Sequence, residues 1–522
     1  MAASGAYGQA TAERPNVILL VADDLGYGDL SCYGAERVST PRVDSIARGG
    51  VRFTDAHAVA STSTPSRYSL LTGEYSFRRP ETNVANGDAH LLIDPDQYTL
   101  ADMFRDQGYT TAAIGKWHLG LGSVSGQQNW NRPLDLTPED IGFDYSYIMA
   151  ATADRVPCVF IENGSVKNYD PTAPISVSYT SNFAGEPTGA SNPELLTKLK
   201  PSPNHGHNQS IVNGISRIGF MKGGGKALWR DEDIADSIAT YAVRFMGENA
   251  DKPFFMYLCT NDVHVPRYPH ERFRGKSPMG LRGEAILQFD YTVGLIADAL
   301  DSLGIADNTL LIITSDNGPA LQGSTGDLRG GKYLAYEGGQ KVPFMIRWGN
   351  NGGLFKAGST YDESATLVDL FPTLVEMCGI TGNGGTEKNY LPADRVIDGV
   401  SMVPVFTQNK VIHTAETPIL HMKREKLKAI QYAIPTADIL SREEYKDYDF
   451  DVLKNNEYVV FKYFKNIQND NSAFFDKFRK NWLHILTDDA GENYNRTPAY
   501  PTIADEMRDR LDEKMNEFKN NR

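Results

Sequence analysis

The sequence predicts an α/β fold: a large, mostly parallel sheet flanked by helices, followed by a smaller C-terminal α+β domain. Three observations predict it. Short apolar runs recur along the first part of the chain, each of strand length and without polar alternation, as expected of strands covered on both faces. Between them lie stretches with apolar residues three and four apart, and alternation of strands with helices builds parallel sheets. Beyond about residue 405 the pattern changes to short alternating runs and one amphipathic helix. The expected division is therefore 15–405 and 406–522.

The elements follow in order. Asn16 to Ala22 (NVILLVA) reads as a buried strand and ends in Asp23-Asp24. Two adjacent carboxylates at such a position are costly unless paired or bound to a cation. Ser63-Thr64-Pro65-Ser66-Arg67 is a turn entering a short helix, because Pro65 suits a first helical position and pushes Thr64 into extended backbone. Ser63 then stands at a helix N-terminus, where free N–H groups attract an anion, and Arg67 shares its face one turn on. A second strand, Thr110 to Ile114, runs into Lys116 and His118.

From about 122 to 229 regular pattern is weak and Gly, Pro, Asn and Ser are frequent. Loops this long in a compact domain are usually functional. Asp231 is read as the cap of a helix through about Glu248, and a third strand, Phe254 to Thr260, runs into Asn261 and His264-Val265-Pro266. Ile286, Phe289, Val293, Ile296 and Leu300 mark another helix, and a fourth strand, Thr309 to Thr314, runs into Asp316-Asn317. Then come Lys332, in Leu328-Arg329-Gly330-Gly331-Lys332, and a helical run around Leu367 to Cys378. The C-terminal part carries strand-like Ala429 to Ile434 and Tyr458 to Tyr463, then a helix with Ile503, Met507, Leu511 and Met515 four apart. Ligands of parallel sheets bind beyond the strand carboxyl ends, so the four polar clusters are expected on one rim.

Composition narrows the function. With 522 residues, 41% of them hydrophobic and 23% charged, the chain is that of a globular protein. A net charge of −14 argues against nucleic acid and against an anionic membrane surface. Any anionic substrate must be drawn in by a local basic pocket. Cys32, Cys158, Cys259 and Cys378 have no metal or disulfide spacing; Cys259 and Cys378 are read as small buried residues. No run approaches the length of a membrane span. The first ten residues lack an apolar signal core and say nothing about export.

The Ser63-x-Pro65-Ser66-Arg67 pattern, followed by Thr72-Gly73, resembles the sulfatase signature, in which the first residue is Cys or Ser. With the clusters named above, the resemblance covers Pro15 to about Asn495. It implies an alkaline phosphatase-like fold and hydrolysis of sulfate esters. It also implies that Ser63 is converted after translation to formylglycine by a dedicated maturation enzyme and is held by Arg67 and His118. Lys116 and Lys332 would grip the sulfate, and His264 would protonate the leaving oxygen. Asp23, Asp24, Asp316 and Asn317 would hold one Ca²⁺, with Mg²⁺ as the alternative, since all are hard oxygen donors. Similarity to bacterial glycan-degrading sulfatases implies exo action on a sulfated carbohydrate (mucin-type O-glycan, glycosaminoglycan or algal glycan) in the periplasm or outside the cell. Arg78, Trp130, His205, His207, Trp229 and Arg230 are the sugar-contact candidates; His205-Gly206-His207 has metal-like spacing, but two ligands do not make a zinc site.

Elementary chemistry agrees with these roles. A sulfate ester gains negative charge on its oxygens as the S–O bond breaks, and cations placed there stabilise it. An alcohol leaving group needs a proton, which an imidazole can supply. Two rivals remain at this stage. A phosphohydrolase of the same superfamily usually holds two metals, and Lys116 and Lys332 take up the space of the second. A catalytically inactive sulfated-glycan-binding protein is the other, because many relatives carry Cys where Ser63 stands. Ser63 is then a native serine with its own maturation enzyme, a replacement for cysteine, or the mark of a pseudoenzyme.

Overall fold

The computed structural model describes residues 14–520 apart from 80, 201–206, 321, 381–394, 425 and 466–480. Ten strands form the main sheet: β1 (Asn16–Ala22), β2 (Val51–Phe53), β3 (Thr110–Lys116), β4 (Tyr145–Met149), β5 (Phe160–Glu162), β6 (Ser165–Val166), β7 (Phe254–Cys259), β8 (Thr309–Ser315), β9 (Phe344–Arg347) and β10 (Ser359–Tyr361). Their order is β10-β2-β9-β8-β1-β7-β3-β4-β5-β6. The central block β8-β1-β7-β3-β4 is parallel throughout, and β9 and β5 run against it on either side. β1, β7 and β8 are buried at every residue, which is why they read as unbroken apolar runs.

Register brings the strand ends together. Ala22 pairs with Ser315, Val21 with Cys259, and Cys259 with Gly115. The residues that follow each strand therefore emerge on one rim. Gly115 allows the closest of these approaches: a Cβ there would lie 1.8 Å from the Cys259 carbonyl oxygen, so any side chain would force β3 from β7.

Helices α1 (Ser63–Thr72), α2 (Ile234–Glu248) and α3 (Leu281–Ser302) follow the expected pattern. In α3, Ile286, Phe289, Val293, Ile296 and Leu300 are all buried. The start of α2 differs from expectation. A short 3-10 turn, Asp231–Asp233, precedes it, and the Asp231 carboxylate is held by Arg217 rather than capping the helix. The irregular stretch also differs, since it supplies β4, a parallel strand of the main sheet. Tyr145–Met149 is short and interrupted by Ser146, and the irregular sequence around it hides the strand. The four cysteines are unpaired, and Cys378 is only partly buried.

Beyond the main sheet, β11 (Ile419–Lys423), β12 (Lys426–Pro435), β13 (Tyr458–Lys465) and β14 (Asn481–Ile485) form a sequential antiparallel sheet. The last helix, α4 (Pro501–Asn520), buries Ile503, Met507 and Leu511 in the same core. The small sheet is tied to the segment between β8 and β9 by charge as well as by packing. Lys462 on β13, fully buried, donates to Glu337 at 2.7 Å and pairs with Glu492 at 3.1 Å, while Glu337 also holds His57 at 2.9 Å.

The Arg217–Asp231 pair fastens the irregular stretch. It is bidentate at 2.7 and 2.8 Å, and the same guanidinium donates to the Ala153 and Val212 carbonyls. Arg217→Met leaves Asp231 charged and buried, so it is expected to destabilise the fold by about 3–5 kcal/mol. A chemical denaturation midpoint unchanged from the parent protein would contradict this.

Candidate active site

Ser63 is the first residue of α1, with Thr62 at the N-cap, so the sequence reading of its place holds while Pro65 sits further into the first turn than expected. Ser63 lines a cavity of about 290 Å³ with Asp24, His118, Asp154, Arg155, His207, His264, Arg267, Gln322, Lys332 and Tyr333. The Lys116 ammonium donates to Ser63 Oγ at 2.9 Å and to Asp23 Oδ1 at 2.6 Å. It also reaches Asp316 Oδ2 at 3.2 Å. Arg67 does not lie over Ser63; its guanidinium grips Asp316 at 2.8 and 3.0 Å and donates to the Lys116 carbonyl. It thus holds the residues that hold Ser63.

A second group closes the other side. Lys332 donates to Asp24 at 2.8 Å, and Asn317 Nδ2 donates to the same carboxylate at 2.8 Å. Ser63 Oγ lies 3.4 Å from Asn317 Oδ1. His264 Nδ1 donates to the Val265 carbonyl, which leaves Nε2 as the free position, 3.8 Å from Asp24 Oδ2. His118 Nε2 donates to the Ala85 carbonyl at 2.9 Å, and its buried Nδ1 has no hydrogen-bond partner. Asp24 and His118 both have positive φ, 57° and 61°, a left-handed backbone that Asp and His adopt more readily than most non-glycine residues.

Burial dominates the electrostatics. It pushes the Asp23 carboxyl up to about 7 against the pull of Lys116. Burial works in the same direction on Asp24 and Asp316, but cations win there: Lys332 and Lys116 hold Asp24 below the usual carboxylate range, and Lys116 and Arg67 hold Asp316 at about 2. Burial and Lys332 lower His264 to about 3, and burial and Lys116 hold His118 well below the usual imidazole value. Both imidazoles are therefore neutral at neutral pH, His264 in spite of the Asp24 carboxylate beside it.

Oxygen donors for a hard cation are present. Asp23, Asp24 and His264 have ligand atoms within 4.8 Å of one another, and Asp316 and Asn317 are joined to them through Lys116 and Asp24. The set fits one hard divalent ion, since three almost fully buried carboxylates converge and Asp23 is left under-compensated. The sequence reading places no histidine beside these donors, whereas the fold brings His264 among them. A second cluster, Asp55, His57 and Glu337, is filled by the ammonium of Lys341, at 2.7 Å from Asp55 and 3.4 Å from Glu337.

The sugar-contact expectations fare less evenly. His207 lines the cavity and pairs with Asp154 at 2.8 Å; His205 lies outside the described residues. Arg78 is instead paired with Asp398, Trp229 is buried against Phe160, and Trp130 is buried in the core. Arg230 is exposed and pairs with Glu232 and Asp233. None of these four lines the cavity; each has the packing or pairing of a structural residue. Sequence reasoning misses Asp154 and Arg155. They follow β4, and recognising that strand would have flagged them by the rule that finds the other clusters.

A family model described as Sulfatase matches residues 15–380. An N-acetylgalactosamine-6-O-sulfatase of Bacteroides thetaiotaomicron is 53% identical over 350 residues, covering 64% of this chain and 68% of its own. Human steryl-sulfatase is 30% identical over 81% of this chain and 74% of its own. A Bacteroides thetaiotaomicron structure labelled 6S-sulf, solved in work on the metabolism of multiple glycosaminoglycans, superposes with a TM-score of 0.82. It is 39% identical and the match covers 96% of this chain and 99% of that one.

Proposed function

The chain belongs to the sulfatase family and is a sulfuric ester hydrolase acting on carbohydrate, and from that premise we propose that it removes 6-O-sulfate from N-acetylgalactosamine at the end of a glycan. The observation that carries the site assignment is Ser63 Oγ at a helix N-terminus, 2.9 Å from a buried lysine, in a cavity that also holds Lys332 and three imidazoles. The substrate class rests on the 53% identical relative. Release of inorganic sulfate from N-acetylgalactosamine-6-sulfate by the matured protein tests both; no release from any sulfated sugar would overturn the reading.

Formylglycine at position 63 fits the cavity, since the Ser63 side chain opens into it and Lys116 already contacts its oxygen. A hydrated aldehyde there supplies a nucleophilic hydroxyl and, as the carbonyl re-forms, a way to release sulfate that a plain serine lacks. The chain's own residues do the rest. Lys116 and Lys332 stabilise charge on the sulfate oxygens, and Arg67 keeps Asp316 and Lys116 in place. His118 Nδ1 is oriented by the Ala85 carbonyl and accepts a proton from position 63. His264 Nε2, oriented by the Val265 carbonyl, gives a proton to the leaving sugar oxygen. An ester anion brought against His264 favours its protonated form, opposing burial and Lys332. A maturation enzyme and a periplasmic or extracellular location complete the proposal.

The metal follows from the donor set. Asp23, Asp24, Asp316 and Asn317 would hold one Ca²⁺, or Mg²⁺ in its place, and the ion would add to the positive charge facing the sulfate. Elemental analysis is expected to find one divalent ion per chain, lost in Asp316→Ala. Two tightly bound zinc ions would instead support a phosphohydrolase.

A further inference from the structure

The cavity that holds Ser63 does not end at its own walls. A second chamber of about 360 Å³ adjoins it and shares Asp154, His207, Val265, Arg267 and Gln322 with it. That volume is within the range of small-molecule sites. Of its remaining walls, Leu199, Ile215, Pro266, Met279 and Leu281 are apolar, Ser216 is polar, and Lys200 and Arg282 are cationic.

Arg267 stands where the two chambers meet, and its surroundings are unusual for an arginine. It is half-buried, donating through Nε to the Val263 carbonyl at 2.8 Å and through Nη1 to Gln322 Oε1 at 3.3 Å. It makes no ion pair among the described residues, although the chain carries a net charge of −14. Burial and the neighbouring Arg282 lower it to about 10, so it stays charged at neutral pH while gaining from any anion that approaches. Arg282 is itself buried, tied to Asp29, and its Nε and Nη1 have no hydrogen-bond partner. Lys200, on the exposed side, makes no ion pair among the described residues either. The single acid in the chamber wall, Asp154, is already held by Arg155 and His207.

We propose that this second chamber is an anion-binding subsite, which takes a carboxylate or a second ester sulfate on the sugar next to the one being desulfated. The inference rests on the carbohydrate sulfatase reading and deepens it. Apolar walls receive a sugar face, and the Arg267 fork matches a planar carboxylate or two sulfate oxygens. Lys200 adds a point charge at the rim. The enzyme thereby prefers polyanionic glycans over neutral ones sulfated at a single position.

Three disaccharides separate the possibilities, each carrying N-acetylgalactosamine-6-sulfate at the non-reducing end. In one the second sugar is a uronate, in another its carboxyl is reduced to the alcohol, and in the third that neutral sugar carries a sulfate ester. The matured enzyme is expected to show kcat/KM about tenfold to a hundredfold higher on an anionic disaccharide than on the neutral one, the range of a charge-assisted hydrogen-bond pair. A preference for the uronate identifies a carboxylate ligand, and a preference for the disulfated compound a sulfate. Arg267→Met should bring the ratio close to one, and Lys200→Met, a surface change that does not threaten folding, should lower it. Calorimetric Kd ratios on unmodified Ser63 protein give the same comparison without turnover. Equal kcat/KM and equal Kd for all three compounds overturn the subsite and leave the sulfatase reading standing. Failure of matured protein to hydrolyse any of them strikes at the sulfatase reading itself, and the Kd ratios then decide the subsite alone.

Discussion

Protein whose Ser63 has not been converted to formylglycine is expected to bind 6-O-sulfated sugar and to release no catalytic quantity of sulfate. The reason is the second half of the reaction rather than the first. Lys116 sits 2.9 Å from Ser63 Oγ, and a helix N-terminus lies behind it, so the hydroxyl is well placed beside an anion. A serine oxygen that attacked sulfur would become an ordinary alkyl sulfate, with no second hydroxyl on the same carbon to expel it. The site would stall after one event. Lys116, Lys332 and Arg67 remain in place in such protein, so binding should persist. Expression with and without a serine-maturing enzyme, with mass spectrometry of the Ser63 peptide alongside sulfate release, makes the comparison. Sustained turnover by protein shown to be wholly unmodified would refute the chemistry. Matching loss of activity in Ser63→Ala, with the ligand Kd changed by less than about tenfold, would support it.

The contrast between His118 and Arg78 shows what in this chain is legible from sequence. The strands that carry the site are buried on both faces, so β1, β7 and β8 appear as uninterrupted apolar runs, and any polar group just after them stands out. Asp23, His264 and Asp316 are legible that way, Lys116 and His118 stand at the end of the less apolar β3, and the fold gathers all five. Arg78 and Trp229 have no such anchor. Only residue type in irregular sequence recommends them, and the fold uses them for an ion pair with Asp398 and for packing on Phe160. Asp154 and Arg155 are hidden for the opposite reason: β4 is a short strand interrupted by Ser146, and its pairing partner β3 is separated from it by a long irregular stretch. Local pattern records burial well and long-range pairing poorly. The role of Arg67 escapes sequence reasoning for the same cause, since its partner Asp316 is 249 residues away.

His264→Ala in matured enzyme is expected to damage hydrolysis of a sulfated sugar far more than hydrolysis of a nitrophenyl sulfate. A sugar alkoxide is a poor leaving group and needs a proton as the S–O bond breaks, whereas nitrophenolate leaves readily without one. General acid catalysis is typically worth about 10² to 10⁴ in rate, so a loss of that order is expected on the sugar and a much smaller one on the aryl ester. The geometry distinguishes the two imidazoles. His264 shows a free Nε2 to the cavity beside Lys332 and Asp24, on the side where the ester must sit. His118 is tied through Nε2 to the Ala85 carbonyl, and Thr64, next to Ser63, donates to the His118 carbonyl at 3.1 Å. A base that serves position 63 is needed whatever the leaving group. His118→Ala should therefore slow both substrates to a similar degree. Equal losses on the two substrates for His264→Ala would mean that this imidazole only positions sulfate, and the proton donor would then have to be another group in the cavity wall.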